Sequence, residues 1–428
     1  MKLRKSKFLK SEDWWSVYLG FALIFLTLIG IIDRPILPGR WGGAGGDSIF
    51  AVLPTGIIFT GIFTLLIFGI STYFTGDIPK KFLSGFTGVF VLTILAEALG
   101  NYQPLRHYGF NNVIWALFIG LLISNTIGVP DFLKGGIKTE LYIKTGLVLL
   151  GSSVLFNRML SLGSLGLGVA WVVTPFVLIF MFWYSQKVLK MEENKGLAIT
   201  IASATSVCGV SAAIATGSAS KSKKEEISLA ISITLIFTVI MMVAMPIIAR
   251  LIGLDNLVAG AWLGGTIDAT GAVVAAGAIL GEEAMEVASL IKMIQNILIG
   301  LVAFAVAIFW VVFYENKSVK EAKVSPKEIW YRTPKFILGF IIASITFSFF
   351  IPSNLVDNSL GILNGYRSFF FTLAFISIGL DSNLRDMAKM LKNGKPLRLY
   401  LIGQSLNIIL TLIAAYVFFS GRFFNLPF

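Results

Sequence analysis

The sequence predicts an all-α polytopic membrane protein of about 11 to 13 transmembrane segments. Three observations carry this. Hydrophobic residues make up 56% of the 428 residues and charged residues only 14%, against roughly 25% charged in an average soluble domain. A mean hydropathy of +0.82 agrees, so soluble, disordered and fibrous chains are excluded. The charges also lie between apolar runs about as long as the ~20 residues a spanning helix needs. These runs mix Ile, Leu, Val and Phe with Gly and lack the period-two alternation of a membrane barrel, so they read as helices.

In chain order the runs are 14–32, 48–76, 82–99, 107–130, 139–157, 159–186, 196–220, 227–249, 257–280, 290–314, 336–356, 367–381 and 399–421. Residues 1–428 read as a single polytopic domain, with a basic cytoplasmic N-terminus at 1–13 and a cytoplasmic linker at 315–335 between two membrane halves. The first apolar run exceeds a signal-peptide core and no small-x-small cleavage site follows, so a retained first helix is expected. With the N-terminus in the cytoplasm, 24 of the 35 Lys and Arg fall inside and six outside. That bias is the positive-inside signature. Lys221, Lys223, Lys224 and Arg250 depend on whether 196–220 and 257–280 span or re-enter. The charge rule mildly favours broken elements.

Those two segments stand apart in composition. In 196–219, 17 of 24 residues are Gly, Ala, Ser or Thr; in 257–280 the count is 14 of 24. Such small side chains offer little area to lipid and let backbones approach closely, so both segments belong inside a bundle. The runs Thr205-Ser206-Val207-Cys208-Gly209-Val210-Ser211 and Gly265-Thr266-Ile267-Asp268-Ala269-Thr270-Gly271 each carry hydroxyls and a mid-membrane Gly. One such segment would pass as a tightly packed helix. Two in one chain, one with an Asp, point to paired broken helices of the kind that hold solutes at the bilayer midplane of secondary transporters.

Asp268 lies midway along its segment, and a carboxylate inside a membrane marks a functional site by default. Lys292 is read as beginning the next helix. With Gln295 and Asn296 it forms an i, i+3, i+4 polar stripe. Asp268 has three open partners: Lys292, a proton or Na⁺. Lys292 either faces an anionic substrate or snorkels to the headgroups. Glu97 reads as an interfacial residue near a helix end. A short echo links Gly146–Leu155 to Ile378–Leu384 in opposite orientations, as an inverted repeat requires.

The run Thr205–Ala212 resembles the "TS-x-CG-x-SA" signature of the YeiH-type sulfate exporter family. Gly265-Thr266-Ile267-Asp268 through Val273-Val274-Ala275-Ala276-Gly277 is similar to that family's second signature, ending in "VVAAG". The "GLVLLG" stretch Gly146–Gly151 and Lys292-Met293 fit as well. The resemblance covers roughly residues 80–420. Many members carry His-Glu where this chain has Asp268-Ala269, which moves the titratable role to Asp268. The resemblance implies an inner-membrane transporter related to the bile-acid and cation/proton antiporter group, with inverted repeats, crossing broken helices and an elevator-like core.

The expected function is secondary-active transport of a small anion, sulfate or a sulfonate, coupled to a proton or ion gradient. The alternative is a cation/proton antiporter in which Asp268 titrates. Expected substrate-binding residues are Thr205, Ser206, Cys208, Gly209, Ser211, Gly265, Thr266, Asp268, Thr270, Gly271, Lys292, Gln295 and Asn296. An enzyme is not expected: there is no paired-Asp motif and no metal-ligand spacing, and the single His107 and single Cys208 exclude a His-ligated metal site and a disulfide within one chain. No phosphate-binding loop is present, so ATP does not drive this chain alone. The expected partners are the anion, a coupling proton or Na⁺, and the lipid bilayer, with a homodimer left open and no cofactor or nucleic acid.

Overall fold

A membrane interior offers no water to backbone N–H and C=O groups, so each apolar run must close its own hydrogen bonds as a helix. The computed structural model describes residues 10–43, 48, 53–107, 110–315, 326–383 and 394–426. Of the expected cytoplasmic stretches, residues 1–9 and 316–325 therefore lie outside the described residues. The main helices are α1 (Glu12–Leu28), α2 (Ile57–Thr75), α3 (Pro79–Gly100), α4 (Asn112–Thr126) and α5 (Thr139–Ser153). Next come α6 (Phe156–Lys187), α7 (Lys195–Ser206), α8 (Gly209–Ala219), α9 (Lys224–Leu251) and α10 (Asn256–Thr266). The last are α11 (Thr270–Leu280), α12 (Glu282–Phe313), α13 (Phe336–Phe349), α14 (Ser353–Asp381) and α15 (Lys395–Phe419).

Among the described residues, seven helices are long and apolar enough to cross a membrane: α2, α3, α6, α9, α12, α14 and α15. The other apolar runs of the sequence fall on shorter helices: 14–32 on α1, 107–130 on α4, 139–157 on α5 and 336–356 on α13. The two small-residue runs become the pairs α7/α8 and α10/α11. The all-α polytopic expectation holds.

The chain divides into two compact units, each made of two stretches. The first holds residues up to Asn157 together with Lys335–Asn383. Its centre is α5, buried from Leu141 to Ser152 except at Lys144 and packed by α1, α13 and α14. Backbones touch where glycines face each other. A Cβ on Gly120 of α4 would lie 2.6 Å from the Ile376 carbonyl oxygen and 2.7 Å from the Gly379 Cα of α14. Ser124 then donates to the Gly379 carbonyl at 2.9 Å. Glu97, expected at the interface, is instead buried at 6% exposure. Its Oε1 accepts from the Thr372 hydroxyl at 2.6 Å and from the Asn112 amide at 3.0 Å. These donors come from helices packed over it, and sequence position alone does not reveal them.

The second unit holds Arg158–Pro334 and the chain from Leu384 on, and it contains both small-residue pairs. Each of their four helices has 11 or 12 residues. At 1.5 Å per residue that is about 17 Å, half of a ~30 Å hydrocarbon core. The arms double back. Thr200 Oγ1 on α7 lies 3.2 Å from Ser222 Oγ, just past α8, and a Cβ on Gly217 of α8 would sit 3.3 Å from Thr200 Oγ1. In the second pair, the Arg250 guanidinium beside the start of α10 donates to the Ile279 carbonyl at the end of α11. Glycines of both arms, Gly260 and Gly277, also abut Ala284 of α12. Of the two threadings left open by the sequence, the structure takes the return. Both pairs are helical hairpins, not crossing helices. Their bases sit at opposite ends of the 28-residue α9, and their tips meet between those ends.

Helix α12 begins at Glu282, ten residues before Lys292. Glu282, Glu283 and Glu286 interrupt the apolar pattern that placed its start near 290. Lys292 is therefore three turns into a helix.

The backbone crossing of α4 and α14 gives a stability test. Gly120→Val forces two backbones apart, and overpacking of this kind costs about 1–3 kcal/mol. Purified Gly120→Val should melt several degrees below the parent. Gly163→Ala, whose Cβ would meet only Ile294 Cδ1 at 3.9 Å, should melt with it. Equal melting of Gly120→Val and parent would mean that the two backbones are not in contact.

Candidate functional site

Turning a helix back inside a bundle frees the last carbonyls of the entering arm and the first N–H groups of the returning arm. Here four such ends come together. The first tip is Val207-Cys208, with Cys208 extended at φ −162° and ψ 115°. The second is Ile267-Asp268-Ala269, extended at Ile267 and Ala269. The tips touch: the Gly209 N–H donates to the Asp268 carbonyl at 2.7 Å. The missing side chain of Gly209 lets this tip pack on α9, because a Cβ there would lie 2.7 Å from the Thr234 methyl, whereas 3.6 Å to Asp268 Cβ would be ordinary contact.

The freed carbonyls are capped by side chains from two flanking helices. On α12, Lys292 Nζ donates to the Val207 carbonyl at 2.9 Å and to Gln295 Oε1 at 2.7 Å. The Gln295 amide nitrogen reaches the Ser206 carbonyl at 2.9 Å, the Gly265 carbonyl at 3.2 Å and Thr174 Oγ1 at 3.1 Å. One amide thus bonds the ends of both entering arms. Asn296 Nδ2 donates to Thr270 Oγ1 at the start of α11, at 3.0 Å.

On α15, Tyr400 donates to Asp268 Oδ2 at 2.7 Å. Gln404 Nε2 donates to the Thr266 carbonyl at 3.1 Å and reaches Met241 Sδ at 2.9 Å. Asn407 Nδ2 reaches the Thr205 carbonyl at 3.5 Å. Tyr400, Gln404, Asn407 and Thr411 repeat at i, i+4, i+7 and i+11, one face of a helix. The sequence analysis missed this stripe, although its spacing within 399–421 could have revealed it.

The structure thus gathers Ser206, Gly209, Gly265, Thr266, Asp268, Thr270, Lys292, Gln295 and Asn296 around the two tips. Thr205 and Gly271 are buried one residue to either side, with the Thr205 hydroxyl bonded back to Ile201 of its own helix. Gly265 packs on α15, where a Cβ would meet the Thr411 methyl at 2.6 Å. Cys208 is in an apolar cluster with Ala212, Leu298 and Ile299. Ser211 is exposed on the outer face of α8, so its hydroxyl does not join the buried set. Lys292 is buried at 1% exposure, far from snorkelling. Among the described residues no ion pair within 4 Å joins it to Asp268; its bonds go to Val207 and Gln295.

A family model described as Conserved hypothetical protein 698 matches residues 84–399. A UPF0324 membrane protein of Rhodopirellula baltica is 49% identical over 91% of this chain and 73% of its own length. A UPF0324 membrane protein of Nitratidesulfovibrio vulgaris is 49% identical over 87% of this chain, which spans 65% of that relative. One from Nitrosomonas europaea is 27% identical over 92% of each chain. No solved structure matches the chain.

The capping amide is open to a direct test. Gln295→Met keeps the length of the side chain and removes its donor. It strands the Ser206 and Gly265 carbonyls, and each unmade buried hydrogen bond costs about 1–3 kcal/mol. The variant should melt well below the parent in detergent. Unchanged melting would mean that other groups hold those carbonyls.

Proposed function

The chain belongs to the Conserved hypothetical protein 698 family, and on that footing we propose that it is a secondary-active transporter of a small anion, sulfate or a sulfonate, driven by a proton or ion gradient. The observation that carries this reading is the meeting of two hairpin tips beside a buried carboxylate, through the 2.7 Å bond from Gly209 to Asp268. Polar, broken backbone inside a membrane is tolerated where it lines a path for a solute.

The chemistry of the ends favours an anion as cargo. The carbonyl ends of α7 and α10 are capped by Lys292, Gln295 and Gln404. The N-termini of the returning arms α8 and α11 remain, and they carry the positive ends of two helix dipoles, with the Gly209 N–H of α8 already donated to the Asp268 carbonyl. Hairpins entering from opposite ends of α9 are also what an inverted repeat would build, and an elevator-like movement of the second unit would carry their tips across the membrane. The alternative, a cation/proton antiporter, is supported by Asp268 itself: its Oδ2 accepts from Tyr400, and among the described residues no Lys or Arg lies within 4 Å of it.

The expected setting is a bacterial inner membrane with the N-terminus inside. With that orientation, the hairpin threading would leave Lys221, Lys223 and Lys224 inside and Arg250 outside, in line with the charge bias. In a chain with Cys208→Ser, new cysteines at Ser318, Lys392 and Lys221 should be protected from an impermeant thiol reagent in intact cells. A cysteine at Asn354 should label. Labelling at Lys221 from outside would invert the orientation.

Transport is tested with labelled sulfate and a sulfonate in proteoliposomes, with and without imposed pH and Na⁺ gradients. The parent should accumulate solute, and Asp268→Asn should abolish or uncouple uptake while the protein stays folded in the membrane. Uptake by Asp268→Asn at the parent rate, with unaltered ion dependence, would remove Asp268 from the mechanism.

A further inference from the structure

Four buried oxygens around the hairpin tips have no hydrogen-bond partner: Ser206 Oγ, Thr266 Oγ1, Asn296 Oδ1 and Gln404 Oε1. Their residues are 0%, 1%, 2% and 4% exposed. Buried polar atoms are nearly always bonded, so four orphans on residues that flank the two tips need a reason. The amide nitrogens of the same two residues are engaged, Asn296 on Thr270 Oγ1 and Gln404 on the Thr266 carbonyl. Those bonds orient each amide with its oxygen left over. An amide oxygen can only accept. Asp268, between Thr266 and Thr270 on the second tip, adds a carboxylate bonded by Tyr400 and joined by no ion pair among the described residues.

We propose that these oxygens form a binding site for a dehydrated monovalent cation of the size of Na⁺, the coupling ion of the transporter, held by Asp268, Thr266, Ser206, Asn296 and Gln404. This rests on the transport reading above, and it assigns the buried oxygens to the ion and the N-termini of α8 and α11 to the anion. The donor set selects the class of ligand. All members are hard oxygens, which suits alkali or alkaline-earth ions and not softer transition metals. The one carboxylate is also within electrostatic reach of the buried Lys292 ammonium, so it leaves room for no more than a single positive charge, whereas a divalent ion would draw on more carboxylates. A proton would satisfy one oxygen and leave the others bare. An anion would meet amide oxygens that cannot donate to it. The residues come from both hairpins, α12 and α15, so the ion would tie together the four elements that meet at the tips.

The hydroxyl orphans give clean variants. Thr266→Val and Ser206→Ala remove groups that bond nothing in the protein, so neither should harm folding without the ion. The purified full-length chain in detergent is melted in NaCl and in choline chloride at equal ionic strength, and ²²Na⁺ binding is measured in parallel. The parent should melt roughly 2–4 °C higher in saturating NaCl, as a ligand that binds only the folded state requires for a chain of this length. In choline both variants should melt with the parent or above it. In NaCl their increment should shrink or vanish, with ²²Na⁺ affinity lower by tenfold or more, and Asp268→Asn should bind no ²²Na⁺.

Equal parent melting in the two salts with no ²²Na⁺ bound would overturn the site and leave water or a proton at these oxygens. So would variants that keep the full sodium increment. The transport reading stands or falls separately. Sodium binding without sulfate or sulfonate flux keeps the ion site and sinks the anion transporter, whereas flux indifferent to sodium keeps the transporter and sinks the ion site.

Discussion

A helix that turns back inside a membrane releases carbonyls that neither water nor lipid can bond, and the second unit is organised around that constraint. Val207, Ser206, Gly265 and Thr266 each present a carbonyl near the middle of the bundle. Lys292, Gln295 and Gln404 answer them from α12 and α15. The tip-to-tip bond from Gly209 to Asp268 then fixes the two turns against each other. Once these polar groups are committed, the surrounding residues must be small, because the capping side chains reach only a few ångströms from their own helix. Glycines do this for the second hairpin. Gly260 and Gly264 bring α10 against the backbone of α12, where a Cβ would lie 2.6 Å from the Ala284 and Ala288 carbonyls.

Much of this was legible in the amino-acid order. The excess of Gly, Ala, Ser and Thr marked 196–220 and 257–280 as interior segments, and the Lys292, Gln295, Asn296 spacing marked one face of α12. The return of each hairpin was not legible. A kinked helix that continues and one that doubles back place the same small side chains in the same bundle, and only pairings such as Thr200 with Ser222 decide between them. The role of Gly209 shifted for the same reason. Sequence placed it beside a solute, whereas its missing Cβ makes room for the Thr234 methyl of α9 and its N–H bonds the other tip.

Other features escaped because their meaning lies in partners distant in the chain. Tyr400, Gln404 and Asn407 sit in an oily run that looks like an ordinary final helix, yet they serve hairpins more than 130 residues earlier. Glu97 looked interfacial by its closeness to a helix end; Asn112 and Thr372 make it a buried, bonded group in the first unit. Ser211 shows the reverse error. Its hydroxyl belongs to the signature by sequence, but 100° of helical rotation per residue carries it to the exposed face of α8.

The capping pattern also limits how the site can open. The Gln295 amide bonds the entering arms of both hairpins and Thr174 of α6. Pulling the tips apart would break the Gln295 bonds to Ser206 or Gly265 together with the Gly209–Asp268 bond, and each group stranded in a dry interior costs about 1–3 kcal/mol. Up to three at once would be a sizeable share of the roughly 5–15 kcal/mol by which a typical folded protein is stable. Exchange of a solute by parting the tips is therefore the expensive route. A movement that keeps α6, α12, α15 and both hairpins together breaks none of these bonds, so under the proposed transport reading the hydrogen bonding favours a displacement of these elements as one.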